Sequence, residues 1–269
     1  MKRKIFLYVL LVISAFLLTF PLLFALLASF LNSGELHRGV YIPESFNFNS
    51  YVQAFASIPL FRFLINSLIV SVSVTIGQLV LCSLAAFAIV FIPFKGRNFF
   101  FFLFISTLLV PWESTVVPNY VTILNAGWLN TYQALTLPFL ATAFGIFLLR
   151  QHFMTIPKEL YESAEIDGCS RFRFYRSFAL PLSKPVLVAL GVYGFLTTWN
   201  MYLWPLLVTS DTTVRTIQIG INMMISQEAS TNWSMVMAAV VIILIPTLLL
   251  LFIGIKHIQR GLTSGALKG

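Results

Sequence analysis

Apolar residues along this chain gather in six long runs divided by short polar segments, near residues 5–31, 65–92, 99–118, 133–150, 185–208 and 235–255. Each run approaches the ~17–25 residues that a helix needs to cross the hydrocarbon core of a bilayer. Within the runs the apolar positions are continuous. A span in lipid must satisfy its own backbone hydrogen bonds, and barrel strands would instead alternate over ~10 residues, so the pattern predicts helices. The expected architecture is all-α: a polytopic membrane protein with six transmembrane helices in one domain over residues 1–269. Two connections are longer than turns, an outer one near 32–64 and an inner one near 150–185. The first run follows Met1-Lys2-Arg3-Lys4, exceeds the ~7–15 residues of a signal-peptide core and lacks an A-x-A cleavage site, so it reads as a retained span.

Composition sharpens this picture. The chain is 58% hydrophobic and 10% charged, with a mean hydropathy of +0.90, against roughly 45–50% apolar and about 25% charged in soluble domains. A soluble fold is excluded. The net charge of +8 could point to nucleic acid, but that requires basic residues on one solvated face, and here they sit between apolar runs. Placing both termini and the second and fourth loops in the cytoplasm puts all but three of the 17 Lys and Arg inside, leaving Arg38, Arg62 and Arg215 outside. Both termini are therefore expected in the cytoplasm. Cys82 lies in an apolar run and Cys169 in a polar loop, while His37, His152 and His257 are far apart. Neither a disulfide framework nor a metal site is expected from that spacing.

The inner loop carries the chemistry. Pro157-Lys158-Glu159-Leu160-Tyr161-Glu162-Ser163-Ala164-Glu165-Ile166-Asp167-Gly168 places Pro in a first helical turn, acids near the positive end of the helix dipole and Gly at a helix stop. Ser170 can cap a second helix through Arg171 to Leu180, with Phe172, Tyr175 and Ala179 at helical spacing and Pro181 ending it. Such a hairpin could be an interfacial element with its aromatics in the headgroups. Alternatively it is a protein-docking element, since small residues admit a close surface and the flanking charges fix register.

The residues favour docking. Glu162-Ser163-Ala164, Asp167-Gly168 and Leu180-Pro181-Leu182, in that order and spacing, resemble the E-A-A-x-x-D-G loop that marks permease subunits of binding-protein-dependent ABC importers. Gly145 through Gln151, Ile156-Pro157-Lys158-Glu159, Trp199-Asn200 and the stretch 261–269 resemble the carbohydrate-uptake branch, including the smaller maltose-importer permease and the glycerol-3-phosphate permease. Ser163 and Cys169 stand where that family usually has Ala, and both are small.

The resemblance implies the type I importer permease fold in a bacterial inner membrane, with this loop seated in a cleft of a separate ATP-binding subunit. Glu162, Ser163, Ala164, Asp167 and Gly168 would be the docking residues. No G-x-x-x-x-G-K-[ST] phosphate cradle is present. No cofactor is therefore expected on this chain, ATP and Mg belong to a partner ATPase dimer, and the chain itself is not an enzyme. A second, non-identical six-span permease and an extracytoplasmic solute-binding protein complete the implied assembly. The substrate implied is a sugar, an oligosaccharide or related polyol. Glycerol-3-phosphate or a glycerophosphodiester is the alternative, weakened because no Lys or Arg lies inside a span.

Signals for the pathway are weaker. Helical spacing puts Phe195, Trp199 and Tyr202 on one face, and with Asn200 they suit sugar rings and hydroxyls. Membrane interfaces also gather Trp and Tyr, and Trp204 beside Pro205 is assigned to that belt. Glu113, after Pro111 and Trp112, is expected near water or hydrogen-bonded, with a gate or substrate role as the sharper alternative. An ion-coupled transporter would show several ionisable groups near the midplane, where this chain offers only Glu113. An intramembrane enzyme would need a motif such as H-E-x-x-H or G-x-S-x-G, and both are missing.

Overall fold

The structure, a computed structural model, describes residues 2–32, 34–226 and 231–266. Residues 267–269, the end of the C-terminal stretch that resembles the carbohydrate branch, lie outside the described residues. Every regular element among the described residues is helical: α1 (Lys2–Ala28), α2 (Asn49–Ser57), α3 (Leu60–Phe91), α4 (Arg97–Ser106), α5 (Trp112–Asn125), α6 (Tyr132–Thr136), α7 (Ala143–Phe153), α8 (Lys158–Ile166), α9 (Arg171–Phe174), α10 (Leu180–Leu182), α11 (Lys184–Trp199), α12 (Leu203–Val208), α13 (Ile217–Ser226) and α14 (Trp233–Ala266), with short tighter or wider turns between them.

Three helical segments, Lys4–Ala28, Leu60–Phe91 and Trp233–Gly254, are unbroken and apolar enough to cross a bilayer. Three further candidates are bent pairs, giving three to six spans. The run at 99–118 divides into Arg97–Leu109 and Trp112–Asn125, which meet at 101°. Proline explains the corner. The Pro111 ring disfavours the helical region for the residue before it, and Val110 is extended (φ −89°, ψ 113°). The run at 133–150 lies in a gentler pair, Tyr132–Phe139 and Ala143–Phe153, bent by 42°. Here Thr142 is extended and its hydroxyl accepts a hydrogen bond from the Gly145 N–H at 3.0 Å, starting α7. The run at 185–208 also departs from a single helix: α11 ends at Trp199 and α12 follows as a separate short piece. The loop segment Arg171–Leu182 meets α11 at 78°.

The chain forms two compact units. The first comprises Met1–Leu64 and Thr216–Pro246. In it, α1 leaves nearly every side chain from Ile5 to Leu18 exposed, as expected of a helix whose neighbours are lipid or another chain. Its end is fastened by Ser29 to the Tyr51 hydroxyl at 2.8 Å and by the Ser50 hydroxyl donating to the Leu31 carbonyl at 3.0 Å. In the loop after α1, hydrogen bonds from the Asn32 side chain and backbone N–H hold the Glu35 carboxyl below the usual carboxylate range. The second unit, Ile65–Arg215 with Thr247–Gly269, holds the inner loop.

Candidate functional site

The loop between α7 and α11 begins as α8, entered at Pro157, with Glu159 in its first turn. It is closed by a Schellman motif: the Cys169 N–H reaches back to the Ala164 carbonyl at 2.9 Å, and the Gly168 N–H to the Glu165 carbonyl at 3.0 Å. Gly168 takes φ +72°, a left-handed conformation that L side chains resist. A Cβ built there meets nothing within 4 Å, so the space beside Gly168 is open.

The following helix starts as the sequence indicates, with the Ser170 hydroxyl accepting from the Arg173 N–H at 3.3 Å. Pro181, however, does not end it. The helix widens into a π turn over Tyr175–Ala179 and passes through Pro181 to Leu182. Proline lacks an N–H and its ring crowds the carbonyl four residues back; a wider turn just before it relieves both problems.

Glu162, Ser163, Asp167 and Gly168 are exposed. The Ser163 hydroxyl donates to the Leu160 carbonyl at 3.2 Å. Ala164 points the other way: it is 8% exposed and packs into the core of its own unit, so its small size lets α8 seat closely on the chain itself. Two residues outside the docking set stand out. Ile166 is 86% exposed and Phe172 66%. The available signal for Ile166 was an aliphatic residue between Glu165 and Asp167 on an otherwise polar face.

An aromatic cluster anchors the loop. The Tyr161 ring lies 5.4 Å from Phe91 and 4.9 Å from Phe174, while Phe87 contacts Phe153, Phe174 and Tyr175. The hydroxyls of Tyr175 and Ser83 are 2.7 Å apart. Phe174, Tyr175 and Ala179 are buried and so are not presented to headgroups, while Phe172 and Phe178 of the same helix stay exposed. The loop is thus fixed to the ends of α3 and α7.

The pathway candidates are dispersed. Phe195 and Trp199 stack at 5.5 Å, but Trp199 is 1% exposed, so its ring lines no open face of this unit. Tyr202 leaves the expected shared face because the helix stops at Trp199. Asn200 is exposed and its amide donates to the Leu196 carbonyl at 2.8 Å, closing α11. Glu113 is exposed in the first turn of α5, directly after the 101° corner. Trp204, assigned above to an interfacial belt, is fully buried against Trp112 and Phe139, and its indole N–H donates to the Ala134 carbonyl at 2.9 Å. The bend before α7 is braced from α3: the Gln78 amide donates to the Phe139 carbonyl at 3.0 Å, and Cys82 Sγ accepts from the Thr142 N–H at 3.5 Å.

Broken apolar helices and a capped loop packed on the end of α3 are the features that a membrane permease would need. The chain belongs to the binding-protein-dependent transport system inner membrane components, a family whose model matches residues 2–264. It is a permease subunit of an ABC importer, as the loop motif implied. Among relatives, the sn-glycerol-3-phosphate transport system permease protein UgpE of Brucella abortus (strain 2308) is 37% identical over 267 residues, covering 96% of this chain and 95% of the relative. UgpE of Escherichia coli O1:K1 / APEC is 38% identical over 270 residues, covering 97% and 96%. A chain of a bacterial ABC transporter involved in import of the acidic polysaccharide alginate shares the fold, with a TM-score of 0.85 at 20% identity and 95% of each chain covered.

Proposed function

We propose that this subunit forms half of an inner-membrane pathway importing a phosphorylated polyol of the glycerol-3-phosphate class, and that α8 is the element through which a separate ATPase acts on it. The observation that carries the docking reading is the tip of α8. Glu162, Asp167 and Ile166 are exposed beside the open space at Gly168, while the reverse side of the helix is packed through Tyr161 on α3 and α9. The substrate reading rests on the named transport systems of relatives that are 37–38% identical over nearly the whole chain. A sugar remains compatible with the family.

Six spans, cytoplasmic termini, an ATPase pair, a second permease and an extracytoplasmic binding protein complete the proposal. Trp199, Asn200, Tyr202 and Glu113 are kept as pathway candidates for the assembled transporter. Of them, Asn200 and Glu113 already present polar groups on the subunit surface.

The test is purification of the tagged chain from native membranes, with its companions identified by mass spectrometry. Gly168→Asn, whose side chain tolerates a left-handed backbone, keeps the ATPase. Gly168→Trp, which fills the open space, loses it while the second permease is retained. Recovery of the ATPase with both variants would overturn docking at this site. Orientation is read from the native cysteines, because Cys82 is buried and Cys169 partly exposed. A membrane-impermeant maleimide is expected to label Cys169 in inverted vesicles and not in right-side-out ones.

A further inference from the structure

Positive charge also collects away from the docking residues. The second unit contains an open cavity of about 190 Å³ whose polar lining is Arg97, Asn98, Arg150 and Lys158. No carboxylate lines it. The neighbouring charge that acts on the Arg150 guanidinium is that of Arg97, which has the same sign. Like charges gathered without a counterion repel, and an anion among them removes the penalty.

Three observations describe how the positive groups are held around this space. The Arg150 guanidinium carbon sits 3.9 Å from the centroid of the buried Phe101 ring, which holds the side chain in place by a cation–π contact. Its Nε is buried with no hydrogen-bond partner among the described residues. That atom has no exposed surface, so a ligand in the cavity is left to meet the terminal N–H groups of the guanidinium. Finally, α4 opens at Arg97 and α8 at Lys158, and neither helix has a side-chain cap on its first N–H groups. Two positive helix ends therefore contribute to one cavity.

We infer that this cavity binds the phosphate of an anionic phospholipid headgroup, with Arg97, Arg150 and Lys158 as its ligands. The apolar surface beside it favours a lipid over a soluble phosphate. On α4, immediately past Arg97, Phe99 and Phe102 are each 67% exposed, so acyl chains have a wall to follow away from the charged mouth. Basic pockets at the cytoplasmic ends of spans attract anionic headgroups in this way. The placement at the inner leaflet rests on the orientation proposed above.

The test uses the whole transporter in nanodiscs of phosphatidylcholine containing phosphatidylglycerol or cardiolipin, with retained lipid read by native mass spectrometry. The wild type is expected to enrich the anionic lipid over the bulk mixture. Arg97→Gln and Lys158→Gln, both at exposed positions, are each expected to lower that enrichment about fivefold. Arg150→Gln is expected to act in the same direction. Because it also breaks the stack on Phe101, the two exposed variants decide the case if it misfolds. Equal lipid retention in the wild type and both exposed variants overturns the site. A thermal shift with inorganic phosphate in pure phosphatidylcholine discs, lost in the variants and without lipid enrichment, overturns the lipid as occupant. If Cys169 is instead labelled from outside, the inner-leaflet placement falls while lipid retention still reports on the cavity.

Discussion

Single side chains divide here into those that hold the unit together and those the fold leaves outward. Ile166 is the clearest outward case. With 86% of its surface exposed, Ile166→Asp is expected to change stability by no more than about 0.5 kcal/mol. The same substitution is expected to abolish recovery of the ATPase in a pull-down. Trp204 is the opposite case. Trp204→Phe keeps most of the ring but removes the donor to the Ala134 carbonyl, leaving that oxygen buried without its partner. The expected cost is about 1–3 kcal/mol, visible as a lowered melting temperature of the purified complex. Sequence reasoning placed Trp204 at an interface because Trp frequents such belts; the hydrogen bond to Ala134, 70 positions earlier, is what draws it inside. Ala164 shows the same ambiguity, since its side chain is turned into its own unit. A small residue serves an external surface and an internal seat equally well, and only the direction of α8 decides between them.

At the scale of elements, the positions of apolar runs were legible because hydropathy reports length. Direction was not legible, since it depends on a few backbone angles. Val110-Pro111 turns the chain by 101° inside one continuous apolar run. The caps at Ser170 and Gly168 could be read from residue type, whereas the π turn before Pro181 could not, because several backbone responses accommodate a proline. The gentler bend before α7 depends on close packing with α3. A Cβ at Gly145 would come within 2.8 Å of Cys82 Sγ. Gly145→Ala is expected to cost about 1–3 kcal/mol through overpacking. Adding Cys82→Ala should recover part of that loss, so thermal unfolding of the two single variants and the double variant should show a coupling of about 0.5 kcal/mol or more. Strictly additive losses would mean that the bend does not depend on this contact.

For the molecule as a whole, the chain carries no phosphate-cradling motif, and its few acidic residues lie chiefly in the loops. Uptake by vesicles containing the complete transporter is therefore expected to continue when an uncoupler removes the proton gradient, and to stop when ATP is withheld from the ATPase side. The reverse pattern would revive an ion-coupled mechanism. The family was legible in the loop motif because several residue types recur there at set spacings along one short segment. The identity of the cargo was not, since no such pattern marks it here. The closed end of α8 has a further consequence for how the assembly works. The carbonyls of Ser163, Ala164 and Glu165 accept from the N–H groups of Asp167, Cys169 and Gly168, so the turn that closes α8 is set by the chain itself. Little conformational entropy is then lost on association. Under the docking role proposed above, contact would be made and released in every transport cycle without the loop folding and unfolding each time.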